Sequence, residues 1–146
     1  MVIKKFLAIL IGATVFCTSL TASAYAEASS TVIESNISPA YDIAVDVKSN
    51  LSISGQTAYC TSGANSANAV NITVEQTLQK QGFLWSWSDV KDANWTKNVS
   101  SSIISFSNTK SGLSSGKYRL KSVFTLTDKN GKTETITAYS AEKSVS

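Results

Sequence analysis

From Ile43 to Tyr139 the apolar residues of this chain recur at every second position. Ile43, Val45 and Val47 alternate with Ala44, Asp46 and Lys48, and the same odd phase returns at Leu51 and Ile53. Val70, Ile72 and Val74 alternate with Asn71, Thr73 and Glu75, and Tyr118, Leu120, Phe124 and Leu126 with Arg119, Lys121 and Thr125. A period of two sends successive side chains to opposite faces of a strand, so each segment buries one face and wets the other. The pattern predicts strands over residues 43–53 (one long strand, or two joined by a kink at Ser49-Asn50), 56–61, 70–80, 84–91, 96–106 with a bulge at Ile103-Ile104, 117–127 and 132–140. Gly55, Gln81-Gly82 and Asp128-Lys129-Asn130-Gly131 are the turns, and residues 62–69 read as a loop. No segment has a helical period. Seven short strands in one sheet would leave an apolar face bare, so the expected fold is all-β: a seven-stranded antiparallel sandwich of two sheets.

Polarity comes from hydroxyls more than from charge: 25 Ser and 15 Thr stand in 146 residues of which 16% are charged. Such a composition suits exposed strand faces and turns. There is no His. That removes imidazole as acid, base or ligand, and with it the Ser-His and Cys-His hydrolases and the commonest zinc sites.

Residues 1–26 read as a secretory signal peptide: Lys4 and Lys5 give a basic start, residues 6–17 an apolar run, and Ala24-Tyr25-Ala26 the small residues before a cut between Ala26 and Glu27. A cut after Ala24 fits the same rule. The apolar run is shorter than the roughly 20 residues a membrane helix needs, so no membrane anchor is expected once it is removed. Cys17 follows Phe16 where a lipoprotein signal wants a small residue. Residues 27–40, which contain the only proline, Pro39, read as a flexible leader, and residues 41–146 as the domain. The removed segment contains two Lys and no acid, leaving 11 basic against 10 acidic residues. No basic run remains, so electrostatic binding to nucleic acid or anionic lipid has little support, and no nucleic-acid partner is expected. Cys60 is then the sole cysteine, and the exported domain is held by its core without a disulfide.

All three tryptophans, Trp85, Trp87 and Trp95, fall within eleven residues. If residues 84–91 form a strand, Trp85 and Trp87 share a face with Phe83 and Asp89, and an aromatic row beside an acid is what a sugar-stacking surface needs. Trp85, Trp87 and Asp89 are therefore the candidate ligand-binding residues, set against the plainer reading that one or two of the indoles fill the core. Asp89, Asp92 and Asn94 supply oxygen ligands for a hard cation, but a solvated turn explains them better. Cys60 has no His or cation beside it and reads as a small core residue. No catalytic residue, metal site or cofactor site emerges. The expectation is a non-catalytic secreted protein that binds or lends structure at the cell exterior, its partner a glycan or a cell-surface protein; a carbohydrate-binding module using exposed Trp is the alternative, and a secreted enzyme or toxin ranks third.

The stretch Leu113-Ser-Ser-Gly-Lys-Tyr118 resembles the corner before the sixth strand of immunoglobulin-like sandwiches, where a Tyr hydroxyl ties the loop to the strand. The chain as a whole resembles a group of short secreted proteins of Gram-positive bacteria. The likeness lies in Ile37-Ser-Pro-Ala-Tyr41, Leu51-Ser-Ile53 with Ala58-Tyr-Cys60, Leu78-Gln-Lys80 before spaced tryptophans, and Gly116-Lys-Tyr-Arg-Leu-Lys121 leading through Lys129-Asn-Gly-Lys132 to Tyr139-Ser140. It covers residues 37–143 and implies an export signal, one immunoglobulin-like all-β domain and no assigned activity. The pair Trp85 and Trp87, two apart, departs from that pattern.

Overall fold

The computed structural model describes Ile43 and residues 45–146. The expected signal peptide, its cut at Ala26-Glu27 and the leader lie outside the described residues. Eight strands follow in order: β1 (Val45–Ser54), β2 (Thr57–Ser66), β3 (Ala69–Gln81), β4 (Trp87–Val99), β5 (Ile103–Lys110), β6 (Gly116–Asp128), β7 (Thr133–Tyr139) and β8 (Lys143–Val145). They make the two antiparallel sheets of an immunoglobulin-like sandwich, β1-β2-β5 against β4-β3-β6-β7, with β8 beside β6. The chain changes sheet after β2, after β4 and after β5. The expected corner is present: the Tyr118 hydroxyl donates to the Ser114 carbonyl at 2.7 Å.

Five local expectations change. The strands expected over 84–91 and 96–106 are replaced by one strand, β4, that runs through the gap between them, and by β5, which starts only at Ile103. Residues 62–66 continue β2 instead of looping, because its inward positions Ser62, Ala64 and Ser66 are buried although none is a large apolar residue. Ile103-Ile104 opens β5 after the turn at residues 100–102 and carries no bulge; Ile104 is buried and Ile103 faces water. The bulge lies in β4, where residues 90–93 stand opposite Leu78 alone, between the pairs Gln79–Asp89 and Thr77–Asn94. Asp92 adopts φ 55° there. The extra residues invert the phase of β4, so Trp87 and Asp89 point outward while Ala93 and Trp95 point inward. Finally, an eighth strand follows the seven. Ser140 binds Leu120 through both its backbone N–H, to the carbonyl at 2.9 Å, and its hydroxyl, from the N–H at 2.8 Å. The edge beside β6 then resumes at Lys143.

The core is two apolar halves. Val47, Ala64, Ile72, Val74, Ile104, Phe124 and Leu126 belong to one half, and Leu51, Cys60, Leu78, Tyr118, Leu120 and Val145 to the other. Between them, at the inward position of four strands, lie Ser49, Ser62, Gln76 and Ser122, each no more than 1% exposed. The Gln76 amide nitrogen can only donate, and it reaches Ser62 Oγ at 2.7 Å and the Phe106 carbonyl at 3.0 Å. Ser62 therefore spends its one hydrogen on Ser122 Oγ at 2.7 Å, Ser122 on Ser49 Oγ at 2.8 Å, and Ser49 on the Leu120 carbonyl at 3.4 Å. Asn108 donates to Gln76 Oε1 at 2.8 Å, which satisfies the remaining acceptor. No buried side-chain polar atom among the described residues lacks a partner.

Replacing Ser122 with Ala cuts this chain in the middle, leaving Ser62 a hydrogen with no acceptor and Ser49 without its donor. Urea denaturation is expected to show a loss of about 1–3 kcal/mol. Ser107→Ala, on the exposed face, should stay within about 0.5 kcal/mol of the unsubstituted protein.

Candidate functional site

The β3–β4 connection is a closed loop of five residues. Gly82 runs extended (φ −103°, ψ −161°), and its N–H donates to the Ser86 carbonyl at 2.7 Å. The N–H and the hydroxyl of Ser86 both donate to the Phe83 carbonyl, at 3.4 and 2.8 Å. Inside the loop Phe83–Trp85 forms a 3-10 turn with Leu84 (φ 55°) and Trp85 (φ 63°) in the left-handed region. For a residue with a Cβ that conformation costs about 1–2 kcal/mol. The three side chains project into solvent, Phe83 87%, Leu84 77% and Trp85 76% exposed. The strain is thus borne where no core burial offsets it, the pattern found where backbone conformation serves a site.

Trp85 and Trp87 consequently share no strand face with Phe83. Phe83 and Trp85 belong to the turn, and only Trp87 and Asp89 lie on β4. Alternation along the sequence does not register a left-handed turn, and Gly82 gives its only local sign.

On the outer face of the larger sheet Trp87 joins a row that crosses four strands. Arg119 of β6 stacks between two rings, its guanidinium carbon 4.4 Å from the centre of Trp87 and 4.1 Å from that of Tyr139 on β7. Its Nε donates to Gln79 Oε1 at 2.9 Å, and Gln79 Nε2 donates to Asp89 Oδ1 at 2.9 Å. The register explains the assembly, since Gln79 stands opposite both Asp89 and Arg119. Trp87 is half-buried beneath Arg119, whereas Trp85 is exposed, with the Lys117 ammonium 6.0 Å from the centre of its ring. Trp95, opposite Gln76, packs half-buried against the apolar half that contains Leu78. The three indoles therefore have three roles: exposed tip, stacked face and core margin. Arg119, Gln79, Tyr139 and Lys117 were not singled out by sequence, because their meeting depends on cross-strand register.

The candidate cation ligands separate. Asp89 is bound to Gln79, Asn94 donates to Thr77 Oγ1 at 3.1 Å, and the Asp92 carbonyl accepts Lys110 Nζ at 3.4 Å. No group of three or more His, Cys, Asp or Glu among the described residues is placed to hold a metal ion.

Cys60 lies in the core beside Ala58 on β2, and burial pushes its thiol from 9.0 up to about 12. It is a thiol, not a thiolate, at neutral pH, and so a poor nucleophile. Below pH 9 the thiol is protonated whether folded or unfolded and its contribution to stability is constant. As pH rises from about 9 toward 12 the unfolded chain alone loses the proton, so stability falls by up to about 1.4 kcal/mol per pH unit. Denaturation measured from pH 8 to 11 should show this alkaline loss in the unsubstituted protein and a shallower one in Cys60→Ala.

No protein-family model and no curated protein matches the chain by sequence. Among solved structures it is similar to wild-type OgpA from Akkermansia muciniphila, at 13% identity and a TM-score of 0.40, over 68% of this chain and 30% of that one. It is similar also to catalytically inactive OgpA in complex with an O-glycopeptide substrate, at 13% identity and a TM-score of 0.39, over 71% of this chain and 32% of that one. The chain thus spans about a third of the length of these proteins, and likenesses of this degree assign it no function.

Proposed function

We propose that this chain is a non-catalytic secreted protein that binds a component of the cell exterior through the β3–β4 hairpin. The basic, apolar and small-residue order of residues 1–26 supports export. The observation that carries the binding reading is the tip itself. Phe83, Leu84 and Trp85 are contiguous and exposed, on a backbone that is strained to present them. The other exposed large apolar residues among those described, Tyr59, Val70 and Ile103, stand apart from one another in sequence and singly on their strands. Scattered apolar residues are ordinary on a protein surface, while a contiguous patch marks a contact. The sugar-stacking alternative draws on two open rings in a row; with Arg119 against Trp87, it retains Trp85 alone.

Envelopes of the producing cells are expected to retain the protein, with retention reduced at least about tenfold in a folded Trp85→Ala variant, as for an aromatic hot spot. Equal retention of the two proteins would contradict the reading. Turnover of pooled cell-wall, glycan or peptide substrates that disappears in folded Asp89→Asn would contradict its non-catalytic part.

A further inference from the structure

The hairpin tip carries information about the class of its partner, and the inference below rests on that tip being the contact surface. Its three side chains are Phe, Leu and Trp, at the apex of a turn and not in the wall of a groove. A glycan takes stacking from a flat ring and hydrogen bonds from groups around it, and it has little use for Leu84 or for the edge of a phenyl ring. At the base of the loop the Gly82 N–H, the Ser86 N–H and hydroxyl, and the Phe83 and Ser86 carbonyls are engaged with each other. Polar groups bonded in this way are not offered to a polar ligand.

Cations lie behind the tip although the chain as a whole is nearly neutral once residues 1–26 are set aside. Lys117 lies beside Trp85. Register places Lys80, Tyr118 and Lys143 in one row across β3, β6 and β8, two residues before Gly82 along β3 and on the inward side of the sheet's end, where Lys80 Nζ donates to Ser114 Oγ at 2.7 Å and keeps its charge. Arg119 is in the next outward row, stacked on Trp87. The acids nearby are Glu142, 3.7 Å from Lys117, and Asp89, held by Gln79. Four cations against two carboxylates leave a positive collar behind an apolar point. Phe, Leu and Trp in front of Lys is the composition of an interfacial insertion, in which apolar side chains enter the headgroup and acyl boundary while ammonium groups meet phosphates.

We propose that Phe83, Leu84 and Trp85 insert into the interface of a lipid bilayer that contains anionic lipid, with Lys80, Lys117 and Lys143 contacting the lipid phosphates. The insertion is shallow and reversible, because three side chains and three charges give a weak attachment compared with a spanning helix.

The test uses the purified full chain and vesicles of phosphatidylcholine alone or with 30% phosphatidylglycerol, a composition on the order of that in which basic residues near a surface gain measurable attraction. Co-sedimentation is expected with the anionic vesicles, at least about tenfold stronger than with the neutral ones. Brominated acyl chains should quench tryptophan fluorescence in the bound protein, and Trp85→Gly should remove most of that quenching. Leu84→Asn and Phe83→Ser should each weaken binding by at least about fivefold, and Lys117→Glu by at least about tenfold. Leu84→Asn is informative because Asn tolerates the left-handed conformation, so loss of binding is not loss of fold. The variant comparisons are within one chain, so residues 1–26 contribute equally to them, and it is the loss in the tip variants that decides. Equal binding to neutral and anionic vesicles, or binding unchanged in Leu84→Asn and Phe83→Ser, would overturn the proposal. No vesicle binding together with envelope retention that depends on Trp85 would overturn the lipid as partner while leaving the hairpin as the contact surface. Absence of both would overturn the two together.

Discussion

A file of buried hydrogen bonds joins the two sheets at the centre of the core. Ser49 and Ser62 come from the three-stranded sheet, Gln76 and Ser122 from the other, and the file runs Gln76, Ser62, Ser122, Ser49 with each hydrogen assigned by the amide at its head. The apolar halves on either side contribute more area, but apolar contact is non-directional and tolerates sliding. A hydrogen bond of 2.7 or 2.8 Å in a dry interior does not, since a shift of one rung leaves buried donors unpaired. The file therefore fixes how the sheets sit on each other, and it does so on the strands that carry the outer site. β3 holds Gln76 inward and Gln79 outward; β6 holds Ser122 inward and Arg119 outward. The bulge in β4 completes the arrangement by letting one strand face Trp87 outward and Trp95 inward.

Much of the frame was legible in the sequence because large apolar residues at period two carry it. β1, β3, β6 and β7 are where alternation placed them, and the Tyr118 corner follows from six residues of local sequence. What was not legible depended on residues that periodicity does not weigh. β2 buries Ser62, Ala64 and Ser66, so half of it looked like a loop, and the polar file that runs through Ser62 was invisible for the same reason. Two adjoining apolar residues, Ile103-Ile104, predict a bulge in a strand over 96–106. The bulge lies instead at residues 90–93 of β4, where Asp92 takes a left-handed conformation that nothing in the pattern marks. Three tryptophans within eleven residues mark the region in the sequence, but their division into tip, stack and core margin depends on cross-strand register and the turn at Gly82.

These features define a division of labour. The sandwich is internally satisfied: its buried polar atoms are paired, its lone thiol is protonated and shielded, and its outer cation is stacked between rings. The tip is the opposite, with two strained residues and three apolar side chains in water. A segment that adds nothing to the fold and is costly to hold matters only through what it touches outside the fold.

That separation of tip from frame is the central claim, and stability tests it without any ligand. In the double variant Leu84→Asn and Trp85→Gly, residues that accept positive φ replace two that resist it, and no core contact is removed. The free energy of unfolding in urea should be unchanged or up to about 2 kcal/mol higher than that of the unsubstituted protein. A decrease of more than about 1 kcal/mol would show that the tip side chains hold the sandwich together and would contradict the account.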